Sequence, residues 1–174
     1  MADVRLMLAL REAEGADSRR IWEWRNDVTT RAVSADTNVV EWASHLDWFA
    51  RVIADPRRHL LVAEVDQEPM GVVRFDSAGD DGEWVVSINL APQARGRRLA
   101  SSVLIAGGAW LVARSRVQRV IADIRSDNVV SIRSFESAGY ALTGGSQGWV
   151  RYVRTEHGIK YDAGTYPPKT KESA

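Results

Sequence analysis

The stretch from Trp84 to Ile124 constrains this chain more than any other. A strand-like run, Trp84 to Leu90, is halted at Pro92, and a short loop holding Gly96 follows. From Gly96 to Val112 the pattern becomes a long, mostly apolar helix with Leu99, Val103, Ala106 and Trp110 on one face. Residues 117–124, VQRVIADI, read as a buried strand. Strand, crossover helix and strand together imply a parallel pair. The runs Leu60 to Val65, Met70 to Phe75 and Trp84 to Leu90 are instead separated by turns, Asp-Gln-Glu-Pro and Ser77 to Gly82, which predicts an antiparallel meander. The expected sheet is therefore mixed, mostly antiparallel with one parallel pair inside it.

The remaining elements fall around that unit. Val4 to Glu12 reads as a strand. A helix over 17–31 carries Ile21, Trp24 and Val28 at helical spacing, with Asp17 or Ser18 as its cap. A second helix over 40–54 has the stripe Trp42, Leu46, Phe49 and Ile53, and Asp55-Pro56 stops it. Asp127 or Asn128 caps a helix running to Ala138, which Gly139 ends. Two last strands, near 140–143 and 149–155, flank Gly144-Gly145. The predicted order is β-α-α-β-β-β-α-β-α-β-β. It forms one domain over residues 1–157, with an irregular tail over 158–174 and no internal repeat.

Composition narrows the function. At 174 residues a single domain is expected. Lys plus Arg and Asp plus Glu are both 23, so there is no basic excess of the kind a nucleic-acid binder uses. The absence of cysteine excludes disulfides, thiolate catalysis and cysteine-bound zinc, and no metal is expected. The apolar run near the N-terminus is short and contains Arg5, unlike a signal peptide, and no window approaches the roughly 20 apolar residues of a membrane span. A soluble, cytoplasmic protein without a membrane partner is expected.

Chemistry concentrates in Leu90-Ala-Pro-Gln-Ala-Arg-Gly-Arg-Arg-Leu-Ala-Ser-Ser. Free amides at a helix N-terminus carry partial positive charge and bind phosphates. Arg95, Arg97 and Arg98 add charge, and Gly96 permits close approach of the backbone. The competing interpretation is a plain strand–turn–helix with a solvated arginine cluster. The spacing matches neither a P-loop nor a dinucleotide fingerprint.

This segment resembles the pyrophosphate-binding motif of the GNAT superfamily: Gln or Arg, two residues, Gly, one residue, Gly or Ala. Aligned from Arg95, the Arg and the final Ala100 match, whereas the middle glycine is Arg98; anchoring on Gln93 and Gly96 instead puts Arg98 last. Downstream, the run from Ala122 through Asn128, Ser131 and Phe135 to Gly139-Tyr140 is similar to the strand–Asn–helix–Gly-aromatic segment of the same superfamily. The resemblance implies an α/β (α+β) domain with helices on both faces, in which the parallel pair, 84–91 and 117–124, splays to hold acetyl-CoA. Backbone near Asn89 and Leu90 would hold pantetheine. Amides of Arg95, Gly96, Arg97, Arg98, Leu99, Ala100 and Ser101 would hold the pyrophosphate, and Asn128, Ser131 and Phe135 would line the far side.

The implied reaction is attack of a neutral amine on the thioester, which needs a proton route, an oxyanion donor and a proton for the leaving thiolate. Phe135 stands where many relatives place a proton-donating Tyr; either Ser131, Ser134, Tyr140 or water substitutes, or the thiolate leaves unassisted. Asp123, in a strand that reads as buried, is a candidate for proton removal through water, or else an edge carboxylate paired with an arginine. Ser87 and Asn89 share a strand face that either points into the cleft or meets solvent.

For the acceptor, Trp24-Arg25-Asn26-Asp27, His45-Leu-Asp-Trp48-Phe49 and Gly71-Val-Val-Arg74-Phe75-Asp76 resemble the amino-sugar N-acetyltransferases of the nucleotide-sugar pathways to pseudaminic and related acids. That implies acetylation of the 4-amine of a UDP-linked amino-dideoxy sugar. Arg25 and Arg74 would meet the diphosphate and Trp48 or Trp22 the uracil, with Asn26 and His45 as further substrate-binding candidates. His45 is otherwise a local hydrogen-bonder, and the tryptophans are otherwise core. The alternatives are a peptide or small-amine acetyltransferase and a non-catalytic acyl-CoA-binding module. The Trp-rich helices offer a surface for a homodimer.

Overall fold

The computed structural model describes residues 7–158. In chain order the elements are β1 (Leu8–Glu12), α1 (Ser18–Asn26), α2 (Val28–Ala32), α3 (Trp42–Ala54), β2 (Arg58–Val65), β3 (Glu68–Ser77), β4 (Glu83–Leu90), α4 (Leu99–Val112), β5 (Arg119–Arg125), α5 (Val129–Ser137), β6 (Ala141–Ser146) and β7 (Trp149–Thr155). The strands form one seven-stranded sheet in the order β1-β2-β3-β4-β5-β7-β6, and β4 with β5 is its parallel pair. The predicted mixed sheet is found. The start of the predicted first strand at Val4 and the tail beyond Gly158 lie outside the described residues. No helix among the described residues is long and apolar enough to cross a membrane, and none of their His and acidic side chains form a metal-binding group.

Strand periodicity explains why β2 and β3 are covered on both faces. Val73 and Phe75 alternate with Val72, and Leu61 and Ala63 with Leu60 and Val62, yet all are buried. One set packs with Val103, Leu104 and Leu111 of α4 and Phe135 of α5; the other packs with Ile21 and Trp24 of α1 and Phe49 and Val52 of α3. Gly107 lets α4 approach closely, because a Cβ there would stand 3.1 Å from the Phe75 ring.

Three local expectations need correction. The helix predicted over 17–31 breaks at Asp27, which turns to extended backbone (ψ 136) and caps α2 through its side chain. Val28, placed on the apolar stripe, is 69% exposed. In α3 the buried residues are His45, Phe49 and Val52, while Leu46 and Ile53 face outward, because the His45 ring turns inward to meet the Ser18 carbonyl. The β6–β7 turn is Gln147-Gly148, both at positive φ, and Gly144-Gly145 lie within β6.

Candidate active site

The parallel strands are in register only from Glu83 opposite Arg119 to Val85 opposite Ile121. Beyond that they diverge, so from Val86 to Leu90 the edge of β4 that faces β5 has no ladder partner, although its other edge stays paired with β3. Backbone donors and acceptors left open in a cleft are what an amide-containing ligand arm can pair with.

The loop after β4 turns sharply. A 3-10 turn, Pro92–Ala94, leads to Gly96 at φ +72 and Arg98 at φ +58, and α4 starts at Leu99 with no side-chain cap. Its first amides therefore point out of the helix without an intrahelical partner. Arg98 occupies the position of the middle glycine of the resembled motif and holds the left-handed conformation a glycine would favour there. Gly96, Arg97 and Arg98 are exposed, and the first turn of α4 places Ala100 and Ser101 half-buried beside them. Ser101 Oγ donates to the Arg98 carbonyl at 3.3 Å, and the Leu99 side chain points into the core. A strand edge without partners, a loop bent by two left-handed residues and an uncapped helix start suit the pantetheine and pyrophosphate of acetyl-CoA.

The Arg95 amide donates to the Pro92 carbonyl at 3.4 Å, and its guanidinium turns toward α2. Its Nη1 lies 2.7 Å from Asp27 Oδ1, and its Nη2 donates to Thr30 Oγ1 at 2.8 Å. Thr30 in turn donates to Asn89 Oδ1 at 3.1 Å. The Arg95 guanidinium and the α2 amides hold the Asp27 carboxyl below the usual carboxylate range.

On the far side of the splay, Asn128 Oδ1 accepts from the Ser131 amide at 3.1 Å and caps α5. Ser134 gives its hydroxyl proton to the Val130 carbonyl at 2.9 Å. Phe135 is 3% exposed and stacks edge-on against Tyr140 at 5.0 Å, so it is a core residue rather than cleft lining. The Tyr140 hydroxyl is buried without a hydrogen-bond partner, and burial pushes its pKa well up. It packs beside Arg154, which pairs in register with Val120 at the closed end of the splay.

Asp123 is exposed, not buried as its strand suggested: it is the face-alternating residue between Ala122 and Ile124, and Arg151 grips both its oxygens, at 2.7 and 2.8 Å. The same face of the sheet carries Ser87, exposed and opposite Arg74 in the β3–β4 register. Arg74 bonds Asp76 at 2.8 Å and stacks over half-buried Trp48, 5.6 Å from the ring centre.

The other acceptor candidates hold the protein itself. Asn26 forms a reciprocal pair with Val40, donating to its carbonyl at 2.9 Å and accepting its amide at 2.8 Å. Trp22 donates to the same carbonyl at 2.7 Å, and Arg25 to the Asp36 carbonyl at 2.7 Å, so α1 clasps the segment before α3. His45 is 2% exposed, and its Nε2 meets the Ser18 carbonyl at 2.8 Å; that contact requires the proton on Nε2, and burial pushes the ring's pKa down.

Asp27, Thr30 and Arg151 escaped sequence reasoning. A signal existed for the first: Asp followed by Val-Thr-Thr is a capping residue before three β-branched ones, which suits a helix start better than a helix middle.

Residues 7–141 match the family model described as Acetyltransferase (GNAT) domain. No curated protein matches the sequence. Among solved structures, an aminoglycoside acetyltransferase in complex with coenzyme A and kanamycin superposes with a TM-score of 0.77 at 20% identity, covering 87% of this chain and 96% of that one. A spermidine N-acetyltransferase from Vibrio cholerae in complex with CoA and spermine does so at 0.77 and 15% identity, covering 87% and 97%. At these identities the likeness is one of fold.

Proposed function

We propose an amino sugar on a nucleotide carrier as the acceptor of this chain, which belongs to the GNAT acetyltransferase family and uses acetyl-CoA to acetylate an amine. The target is the 4-amine of a UDP-linked amino-dideoxy sugar. The observation that carries this acceptor is Arg74 lying over Trp48 on the face that also presents Ser87, beside the splay. A cation on a flat aromatic surface suits a diphosphate joined to a base. Arg25 and Asn26, engaged with the segment before α3, shape the acceptor wall instead of touching the sugar.

Acetyl-CoA supplies the activated acyl group. The open edge of β4 aligns its pantetheine arm, and the amides from Gly96 to Ser101 neutralise its pyrophosphate, with Arg97 and Arg98 beside them. The neutral amine, arriving over Ser87, forms a C–N bond to the thioester carbonyl carbon as the C–S bond breaks, and coenzyme A leaves as the thiolate, which takes a proton from water. The amine's proton leaves through water in the open cleft, since both oxygens of Asp123 are taken by Arg151. Alanine at Trp48 or Arg74 tests the acceptor assignment. Each change should raise KM for the UDP-sugar about tenfold or more and leave KM for acetyl-CoA unchanged. Equal KM values for the sugar in wild type and both variants would remove this face from the acceptor site.

A further inference from the structure

We propose that Arg95 is a positioning residue that locks the acceptor-side helix α2 to the donor loop, and that it does not itself bind the donor's phosphates. The proposal rests on the acetyltransferase assignment and adds a role for a residue the sequence motif would give to pyrophosphate.

The geometry has a direction at every step. Asp27 is the residue at which α1 gives way to α2, and its Oδ1 accepts the amides of Thr29 and Thr30 at 3.1 and 3.2 Å. The same oxygen meets Arg95 Nη1. Arg95 Nη2 donates to Thr30 Oγ1, which leaves the Thr30 hydroxyl proton for Asn89 Oδ1. One guanidinium thus ties together the helix break, the first turn of α2 and the diverging end of β4. Swinging it toward a phosphate would leave the half-buried Asp27 carboxylate with only the two amides (side-chain exposure is 23% for Asp27 and 30% for Arg95). The loop has no need of it: Arg97 and Arg98 are exposed, and among the described residues neither is in an ion pair. Planar bidentate geometry explains arginine at this position; lysine, a point charge, reaches one of the two oxygens at a time.

Because Thr30 of α2 bonds Asn89 at the diverging end of β4, the lock should appear in acceptor binding and in the order of α2. Four variants, Arg95→Gln, Arg95→Lys, Asp27→Asn and the double variant Arg95→Gln with Asp27→Asn, would be compared with wild type by calorimetry with acetyl-CoA, by amide hydrogen exchange over residues 27–32, and by acceptor KM with whichever amine turns over. The expected result is exchange over 27–32 faster by about tenfold in Arg95→Gln and Asp27→Asn, partial rescue in Arg95→Lys, acetyl-CoA affinity within about twofold, and a double variant no worse than either single one. An acetyl-CoA affinity lowered about tenfold by Arg95→Gln, with α2 exchange unchanged, would overturn the proposal and return Arg95 to the phosphates. Exchange and calorimetry need no acceptor, so a wrong acceptor and a wrong role for Arg95 give different results.

Discussion

Arg151 stands opposite Asp123 in the β5–β7 ladder, and its guanidinium covers both carboxylate oxygens, at 2.7 and 2.8 Å. The carboxylate is engaged as the partner of an exposed guanidinium, a structural ion pair on the sheet face with no part assigned to it in the chemistry. Asp123→Asn should therefore keep kcat within about twofold of wild type and leave the pH profile of kcat/KM unmoved, whereas loss of a general base would cost about a hundredfold or more. Thiol release followed across a pH series distinguishes the two.

The left-handed pair in the loop before α4 gives opposite predictions for Gly96 and Arg98. Arg98, at φ +58, bears the cost that an L side chain meets in this region. Arg98→Gly should raise unfolding free energy by up to about 1 kcal/mol. Gly96→Val should lower it by about 1–2 kcal/mol. Nothing lies within 4 Å of a Cβ built on Gly96, so that loss comes from backbone strain and not from a clash. Urea denaturation of the two variants reads both signs.

Buried His45 makes stability depend on pH. Burial lowers its folded pKa below the ordinary 6.5, so as pH falls through that value the unfolded chain takes up a proton that the folded ring resists. Stability should fall from about pH 7.5 to about pH 5.5, and His45→Gln should flatten the part of the slope this ring contributes. Parallel slopes for the two proteins would mean the ring protonates freely in the fold.

Asp17, 3% exposed, ties the first turn to β1. Its carboxylate accepts from Arg11 at 2.6 and 2.9 Å and from the Glu14 amide at 2.9 Å. Asp17→Ala should cost about 2 kcal/mol, because it strands charge-assisted donors that are partly out of water. Chemical denaturation at neutral pH checks it.

What the sequence showed and hid follows from which physical cue was local. The crossover from Trp84 to Ile124 was legible because period 2, a proline stop and an apolar helix follow one another in a single segment. The sharp loop between β4 and α4 was legible for the same reason, even with Arg98 in the glycine position, since only the backbone conformation has to be glycine-like. The break at Asp27 is local too, and its capping chemistry was overridden by the apolar spacing of Ile21, Trp24 and Val28. The engagement of Arg95 with Asp27, and of Asp123 with Arg151, depends on side chains brought together from distant segments, which no spacing rule reports. The orientation of α3 was hidden because a histidine counts as polar in a pattern, yet His45 turns inward once the Ser18 carbonyl satisfies it.

The most direct test of the acceptor assignment is free-thiol release from acetyl-CoA. A UDP-linked amino-dideoxy sugar would be compared with kanamycin, spermidine and amino-terminal peptides at equal concentration. The account predicts release with the nucleotide sugar at a kcat/KM at least about a hundredfold above any other amine. Release only with a polyamine, an aminoglycoside or a peptide would contradict it, as would silence across the panel from a protein that still binds acetyl-CoA.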